Sequence, residues 1–325
     1  MASKNTNLHN AKRVKNDEFY TQLTDIEKEM RHYKDFFKGK VVYCNCDDAR
    51  ESNFFKYFSL NFEHLGLKKL ITTGYKEEGK GVVLIYEGDK NGNRVVEDSE
   101  IIVRELEGNG DFRSEECIEF LKESDVVVTN PPFSLFREYV AQLMEYGKKF
   151  LIIGPMNAIT YKEIFPYIKN NELWLGMNWI KEFVQPNGEI KKFGNICWYT
   201  NILHSRRNTE LDLFRRYSNE DYPKYDNYDA IEVSRVENIP MDYNGVMGVP
   251  ITFLDKYCPT QFEIIGLGIA NLGLACGVQP YKPEHREYRK NIQKRGVVDG
   301  DLYMVENGIV KVPYARILIR RKFFN

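Results

Sequence analysis

Asp125-Val126-Val127-Val128-Thr129-Asn130-Pro131-Pro132-Phe133 is the stretch from which the fold of this chain is most directly read. Four apolar or β-branched residues in a row, bounded by turn formers, predict a short buried strand. Two prolines then forbid its continuation, because each lacks an N–H and holds φ near −65°. From Leu135 to Tyr146 the apolar positions Leu135, Phe136, Tyr139, Val140, Leu143 and Met144 recur at helical spacing. Strand, rigid loop and helix together place Asn130 to Phe133 at the carboxyl end of a strand, where open α/β sheets bind ligands.

The residue types of that loop suit one chemistry. An exocyclic amine conjugated with a base is a poor nucleophile, and it reacts best when both N–H bonds point at acceptors and its lone pair faces a methyl donor. The Asn130 side-chain oxygen and the Pro131 carbonyl can be those acceptors, and Pro132 stiffens the turn without adding a donor. Phe133 can offer a flat face to the base, worth about 1–3 kcal/mol. A Pro-Pro turn that merely closes a strand uses the same residues, so the surrounding elements must separate the two readings.

Outward from this loop, Lys40 to Cys44, Lys69 to Thr72, Ile101 to Leu106 and Lys149 to Ile153 are further β-rich runs with amphipathic stretches between several of them. Such alternation predicts a largely parallel sheet with helices on both faces. Val82 to Tyr86 and Arg94 to Arg104, joined by a polar turn, predict a hairpin whose first strand is an insertion in that pattern. Glu172 to Leu175, Trp179 to Val184 and Asn195 to Asn201 read as strands added antiparallel at one edge. After about residue 203 the chain becomes tyrosine-rich, charged and irregular, then returns to short strands at Phe262 to Gly266, Ile309 to Val312 and Ala315 to Ile319. Two domains are expected, 1–203 carrying the catalytic sheet and 204–325 forming a smaller α+β region.

Composition bounds the class. The chain has 325 residues, 42% hydrophobic and 29% charged, as globular domains do. No window is apolar enough for a membrane span, and Met1 to Lys15 has no signal-peptide core, so a cytoplasmic protein is expected. Its six cysteines, Cys44, Cys46, Cys117, Cys197, Cys258 and Cys276, form no Cys-x-x-Cys pair, and they are expected to be reduced and metal-free. Net charge is −1, yet the cations are unevenly spread. Lys4, Lys12, Arg13 and Lys15 stand without an acid, eleven Lys or Arg face five acids from Gly277 onward, and Phe214-Arg215-Arg216-Tyr217 mixes cations with aromatics. Basic ends around a neutral middle suit phosphate contacts, although each stretch taken singly also suits ordinary solvated surface.

Three more segments bear on a site. Asn109-Gly110-Asp111-Phe112-Arg113 puts an acid beside an aromatic after a strand, a pair able to accept from an adenine amino group and pack on its ring. Val41-Val42-Tyr43-Cys44-Asn45-Cys46-Asp47-Asp48 is a strand entering a polar turn, the usual floor of a nucleotide crevice, though without glycines; either aspartate could instead cap the next helix. Asp17-Glu18-Phe19-Tyr20-Thr21 is an aromatic and hydroxyl cluster that says little alone.

In this order the segments resemble the adenine-specific DNA methyltransferases of the EcoRI modification methylase type. The resemblance runs through Asp17 to Gln22, Val41 to Asp48 with Ser52 to Phe58, Gly110 to Ser114, Val127 to Phe136, Gly194 to Asn201 and Met247 to Tyr257, and so covers nearly the whole chain. It implies a Rossmann-like sheet that binds S-adenosyl-L-methionine, and N6 of an adenine in double-stranded DNA as acceptor. Asn130 and Pro131 would hold the amino group and Phe133 would stack on the base. Phe19, Tyr20 and Thr21 would line the methionine end of the donor, Cys44, Asn45, Cys46, Asp47 and Asp48 its middle, and Asp111 with Phe112 its adenine. Trp198 and Tyr199 are candidates for the opposite wall of the base pocket, or else core aromatics. Leu70 to Gly74 lacks the acid that methyltransferases commonly place on a ribose. A GAATTC target and a restriction-modification role would be inherited from the resemblance.

The chemistry requires that the adenine leave the helix, so base flipping is expected. No obligate protein partner is expected, and the enzyme should act as a monomer. Two other readings share the pocket: an amino-methyltransferase of RNA or of a protein glutamine amide, and a catalytically inactive DNA-binding relative.

Overall fold

A computed structural model describes residues 20–49, 51–184 and 189–322. These fall into two compact units, the first reaching Ala158 and resuming over Leu173–His204, the second made of Ile159–Glu172 and the chain from Ser205 onward.

In the first unit, β1 (Tyr20–Thr21) and α1 (Leu23–Met30) precede β2 (Val41–Asp47), α2 (Asn53–Leu60), α3 (Phe62–Leu65) and β3 (Lys69–Gly74). A hairpin of β4 (Val82–Tyr86) and β5 (Ile101–Glu105) comes next. It is followed by α4 (Glu115–Glu123), β6 (Val126–Thr129), α5 (Phe136–Glu145) and β7 (Lys149–Pro155), and last by β8 (Trp174–Val184) and β9 (Ile190–Thr200). All nine strands form one sheet in the order β1-β8-β9-β7-β6-β2-β3-β4-β5. Only β7-β6-β2-β3 is parallel; the flanks are antiparallel. The sheet is therefore less parallel than its alternating pattern predicts, because both edges are finished by hairpins that need no crossover helix. Two runs expected to be separate, Glu172 to Leu175 and Trp179 to Val184, lie within or beside the single strand β8, whose register with β9 shifts between Leu175 and Trp179.

Alternation along the central strands builds two cores. Val42, Cys44, Val126, Val128, Leu151, Ile153 and Trp198 face α1 and α2, where Ile26, Met30, Phe54 and Phe58 are buried with them. The alternate positions carry the other face: Tyr43 meets Phe120 of α4, and Tyr199 meets Phe136 of α5. Helices thus cover both sides, as burying a two-faced sheet requires. Each of these enclosed large side chains contributes about 1.5–3 kcal/mol by leaving water. Asp125 aligns the two middle strands, its carboxylate and N–H bonding the Val41 N–H and carbonyl at 2.8 and 2.9 Å.

A buried carboxylate secures the β8 bulge. Glu29 of α1 accepts from the Tyr33 hydroxyl at 2.9 Å, from the Met177 and Asn178 N–H groups at 2.8 Å each, and from Asn178 Nδ2. Burial pushes its carboxyl above the usual range. Gly176 is needed there, since a Cβ would sit 2.4 Å from the Glu29 Oε1.

The second unit holds α6 (Phe165–Lys169), β10 (Ala230–Glu232), β11 (Val246–Pro250), β12 (Phe262–Gly268), α7 (Ala270–Ala275), α8 (Pro283–Glu287), β13 (Met304–Glu306), β14 (Ile309–Lys311) and β15 (Arg316–Arg321). Its main sheet runs β10-β11-β15-β12, and β13 pairs with β14 as a separate hairpin. At its centre the Arg316 guanidinium makes a forked contact with Glu232 at 2.6–3.0 Å, and the Tyr225 hydroxyl donates to the same carboxylate. Arg316, one of the eleven cations from Gly277 onward that suit phosphate contacts, is instead 13% exposed and neutralised by a carboxylate, since a buried charge persists only when paired. Arg321 donates to the Met241 carbonyl and Lys322 to that of Pro259, so these two cations tie the chain end to its own unit.

Candidate active site

Three loops meet at the carboxyl ends of β2, β3 and β6. The β6 loop begins at Thr129, whose fully buried hydroxyl donates to the Asn45 carbonyl at the end of β2. Asn130 is half-buried and Pro131 buried. Pro132, with φ −55° and ψ 125°, starts a single 3-10 turn over Phe133–Leu135 that leads into α5. Phe133 is 9% exposed and lies edge-on to Phe183, with ring centroids 6.4 Å apart. For a base to stack on its face, this ring or its neighbours must turn outward.

The β2 loop is made differently. Pairing with β3 slips by one residue between Cys44 and Asp47, a bulge centred on Asn45 and Cys46. Cys46 takes φ 67°, a left-handed conformation that costs a residue with a side chain about 1–2 kcal/mol. Where a nucleotide crevice usually uses glycines, this chain bends with a cysteine held by its neighbours. The holding group is Tyr139 of α5, whose hydroxyl donates to Asn45 Oδ1 in the interior. The Tyr139 ring also packs edge-on to Phe112 at 5.0 Å. One side chain therefore joins the β2 loop, the helix after the Asn130 loop and the Asp111-Phe112 segment.

Asp48 accepts from the Glu51 N–H at 3.1 Å, stabilising the turn, whereas the cap of α2 is Ser52, which accepts from the Phe54 N–H at 3.2 Å. The helix-capping role considered for Asp47 or Asp48 thus belongs to Ser52. Asn53 reaches back to the Thr21 carbonyl at 2.8 Å and brings β1 to this edge. Thr21 is buried, and its hydroxyl has no hydrogen-bond partner among the described residues. Phe19 lies outside the described residues.

The Asp111 loop abuts β3 closely. Gly110 has φ 84°, and a Cβ there would lie 2.3 Å from the Gly74 carbonyl oxygen. Asp111 is paired with Arg113 at 2.7 Å, and that guanidinium holds its carboxyl below the usual range. Phe112 is 5% exposed, and its carbonyl accepts from Gln142 of α5 at 3.2 Å. Trp198 and Tyr199 are both fully buried. Trp198 lies edge-on to Phe54, and Tyr199 donates to the Pro155 carbonyl at 2.8 Å. In this structure neither ring offers a surface to a base.

The site is thus built from an amide flanked by proline carbonyls, a bulged polar loop, a buried threonine hydroxyl and an acid-aromatic pair along one sheet edge. The sequence profile of the EcoRI adenine-specific methyltransferases matches residues 7–322. The chain belongs to that family. It is 48% identical to the Type II methyltransferase M.EcoRI of Escherichia coli over 99% of both chains. It is also 41% identical to M.MpnI of Mycoplasma pneumoniae, over 79% of this chain and 84% of that one. M.MgeORF184P of Mycoplasma genitalium is 39% identical over 79% and 85%. As an EcoRI-type methyltransferase the protein is an adenine-specific methyl-transferring enzyme, and its reaction consumes a methyl donor.

Sequence reading missed Thr129 and Tyr139 as members of this site. Tyr139 looks like one more apolar position of α5; its signal is a hydroxyl that must find a partner once the helix is buried. In the second unit, Phe214, Arg215 and Arg216 are exposed and border an open cleft of about 510 Å³ with Asp221, Ser234 and Asn238. No helix among the described residues is long and apolar enough to cross a membrane. Nor do those residues include a cluster of three or more His, Cys, Asp or Glu side chains able to hold a metal ion.

Proposed function

We propose that this edge binds S-adenosyl-L-methionine beside an adenine flipped out of double-stranded DNA, and that the methyl group passes to N6. The observation that carries the reading is the bridge through Tyr139, which joins the Asn45 bulge and Phe112 to the helix that follows Asn130. Two half-sites that are separate in sequence thereby share one support. Asn130 Oδ1 and the Pro131 carbonyl accept the two amino N–H bonds and turn the nitrogen lone pair toward the donor. Thr21 and its neighbours Phe19 and Tyr20 take the methionine end, and the unpartnered Thr21 hydroxyl fits a polar ligand group there. Cys44 to Asp48 take its middle, and Asp111 with Phe112 its adenine. When bound, the donor supplies a methyl on a positively charged sulfur, ready for in-line displacement. The chain supplies orientation, which for such a displacement is the main accelerating factor. The methylated nitrogen is cationic and sheds its proton readily, so no strong base is required.

Residues 204–325 are assigned to reading the DNA sequence, and the enzyme acts as a cytoplasmic monomer that protects the target of a partner restriction enzyme. Two exposed cations and an exposed aromatic at Phe214 to Arg216 support that assignment. The deciding experiment expresses the protein in cells lacking adenine methylation and sequences their DNA for N6-methyladenine. A single short motif, fully methylated, is the expected result. Unmethylated DNA, together with label from S-adenosyl-L-methionine appearing in RNA or protein, would replace this reading with one of the alternatives.

A further inference from the structure

Between Lys282 and Arg295 the chain carries Lys282, Arg286, Arg289, Lys290, Lys294 and Arg295 against only Glu284 and Glu287, in a protein of net charge −1. Helix α8 runs into a π-helical turn over Tyr288–Ile292, and Lys294 then reverses the chain with φ 52°. Both features are unfavourable in isolation and persist where the surroundings over-determine them, commonly at functional sites.

The surroundings do so here. The Gln293 and Arg295 N–H groups donate to the Tyr288 and Arg289 carbonyls, each at 3.1 Å. Arg289 Nε donates to the Gly296 carbonyl and Gln293 Nε2 to that of Val310 in β14, each at 2.8 Å. Beneath them Tyr281 and Tyr303 stack with centroids 4.4 Å apart, and His285 bonds the Tyr303 hydroxyl at 3.1 Å. Arg286 is committed to Asp299, the acid whose field also reaches Lys290.

What the turn leaves over is distinctive. Lys290, Lys294 and Arg295 are exposed and form no ion pair among the described residues. Between them Ile292 is 68% exposed, although apolar. We infer that the turn Lys290–Arg295 is a DNA-contacting element, in which the three cations take backbone phosphates and Ile292 rests against base edges in a groove. This rests on the reading of duplex DNA as substrate. Cations flanking one branched apolar tip match the way proteins press a wedge into a groove while neutralising the phosphates on either side. A membrane surface would call for a broad apolar face, which a single isoleucine does not make.

The test uses the full-length enzyme and two duplexes, one with the sequence it methylates in cells and one without. Binding is measured across salt concentrations for the wild type, for the combined Lys290→Gln, Lys294→Gln, Arg295→Gln variant, and for Ile292→Ser. The triple variant should lose about 2–3 from the slope of log affinity against log salt on both duplexes, at about 0.9 per phosphate contact. Ile292→Ser should weaken binding several-fold with the slope unchanged. Donor binding and melting temperature, which report an intact fold, should stay as in the wild type. A wild-type slope in the triple variant overturns the inference while leaving the methyltransferase reading standing. So does loss of binding to phosphatidylserine vesicles with DNA binding intact. A wild type that methylates no DNA defeats the substrate reading itself, and the inference with it.

Discussion

The bulged end of β2 and the loop after β6 lie at the same end of adjacent parallel strands, yet they are made rigid by opposite means. Asn130 to Phe133 is stiffened covalently, by two proline rings that set the backbone and remove competing N–H donors. Asn45 to Asp48 is stiffened from outside, by a bulge, a left-handed cysteine and hydrogen bonds from Thr129 and Tyr139. The first arrangement suits a loop that presents carbonyls to an amine. The second suits a loop that presents fixed polar groups to a donor molecule. Their common support is α5, which begins where the proline loop ends and carries Tyr139.

Removing the acceptor chemistry should have the largest effect. Asn130→Ala is expected to lower the single-turnover rate about 10³-fold, or ~4 kcal/mol, as loss of an aligned hydrogen-bonding group does. Calorimetric titration should show donor affinity little changed, and near-normal turnover would remove Asn130 from its role. Tyr139→Phe tests the other loop, because it deprives the buried Asn45 oxygen of its donor. A stability loss of about 1–3 kcal/mol in urea is expected, with weaker donor binding and an intact maximal rate. If the rate falls and donor affinity does not, the division of labour between the two loops is wrong.

Cys46→Gly should raise stability by about 0.5–1 kcal/mol, since relief of the left-handed strain exceeds the added chain entropy. Cys46→Ala, which keeps a Cβ, should give no such gain. The smallest effect concerns pH. Arg113 holds the Asp111 carboxyl below its ordinary value of 3.8, so the pair's contribution is complete above that value and is lost as pH falls through the lower folded one. Arg113→Gln should therefore begin acid unfolding at a slightly higher pH. The shift should shrink in salt, because the Arg113 side chain is 50% exposed. An acid limb that does not move would show that Arg113 has no part in holding the Asp111 loop.

The same contrast explains how much was legible in advance. The parallel strands are local patterns of apolar periodicity and stand where the sequence places them, whereas the second arm of the β4-β5 hairpin, expected from Arg94, begins only at Ile101. Strands β10, β11 and β13 were not anticipated; each is three to five residues long, and β10 and β11 exist through a sheet completed by the distant β15, whereas β13 is one arm of a short hairpin with β14. The membership of Ile159–Glu172 in the second unit was equally hidden, as no composition shift marks it. Arg316 looked like surface charge because its partner, Glu232, is far away in the chain.

By itself the sequence determined the strand, the proline loop, the following helix and the kind of chemistry that loop can support, because proline geometry and side-chain periodicity act within a few residues. Tertiary structure alone decided that Asn45, Thr129, Tyr139 and Phe112 meet. It also decided that a cysteine bends where glycine is usual and that the terminal arginines are shared between core and surface. Those outcomes depend on which buried polar groups find partners across the sheet, and that matching is settled only when distant segments pack together.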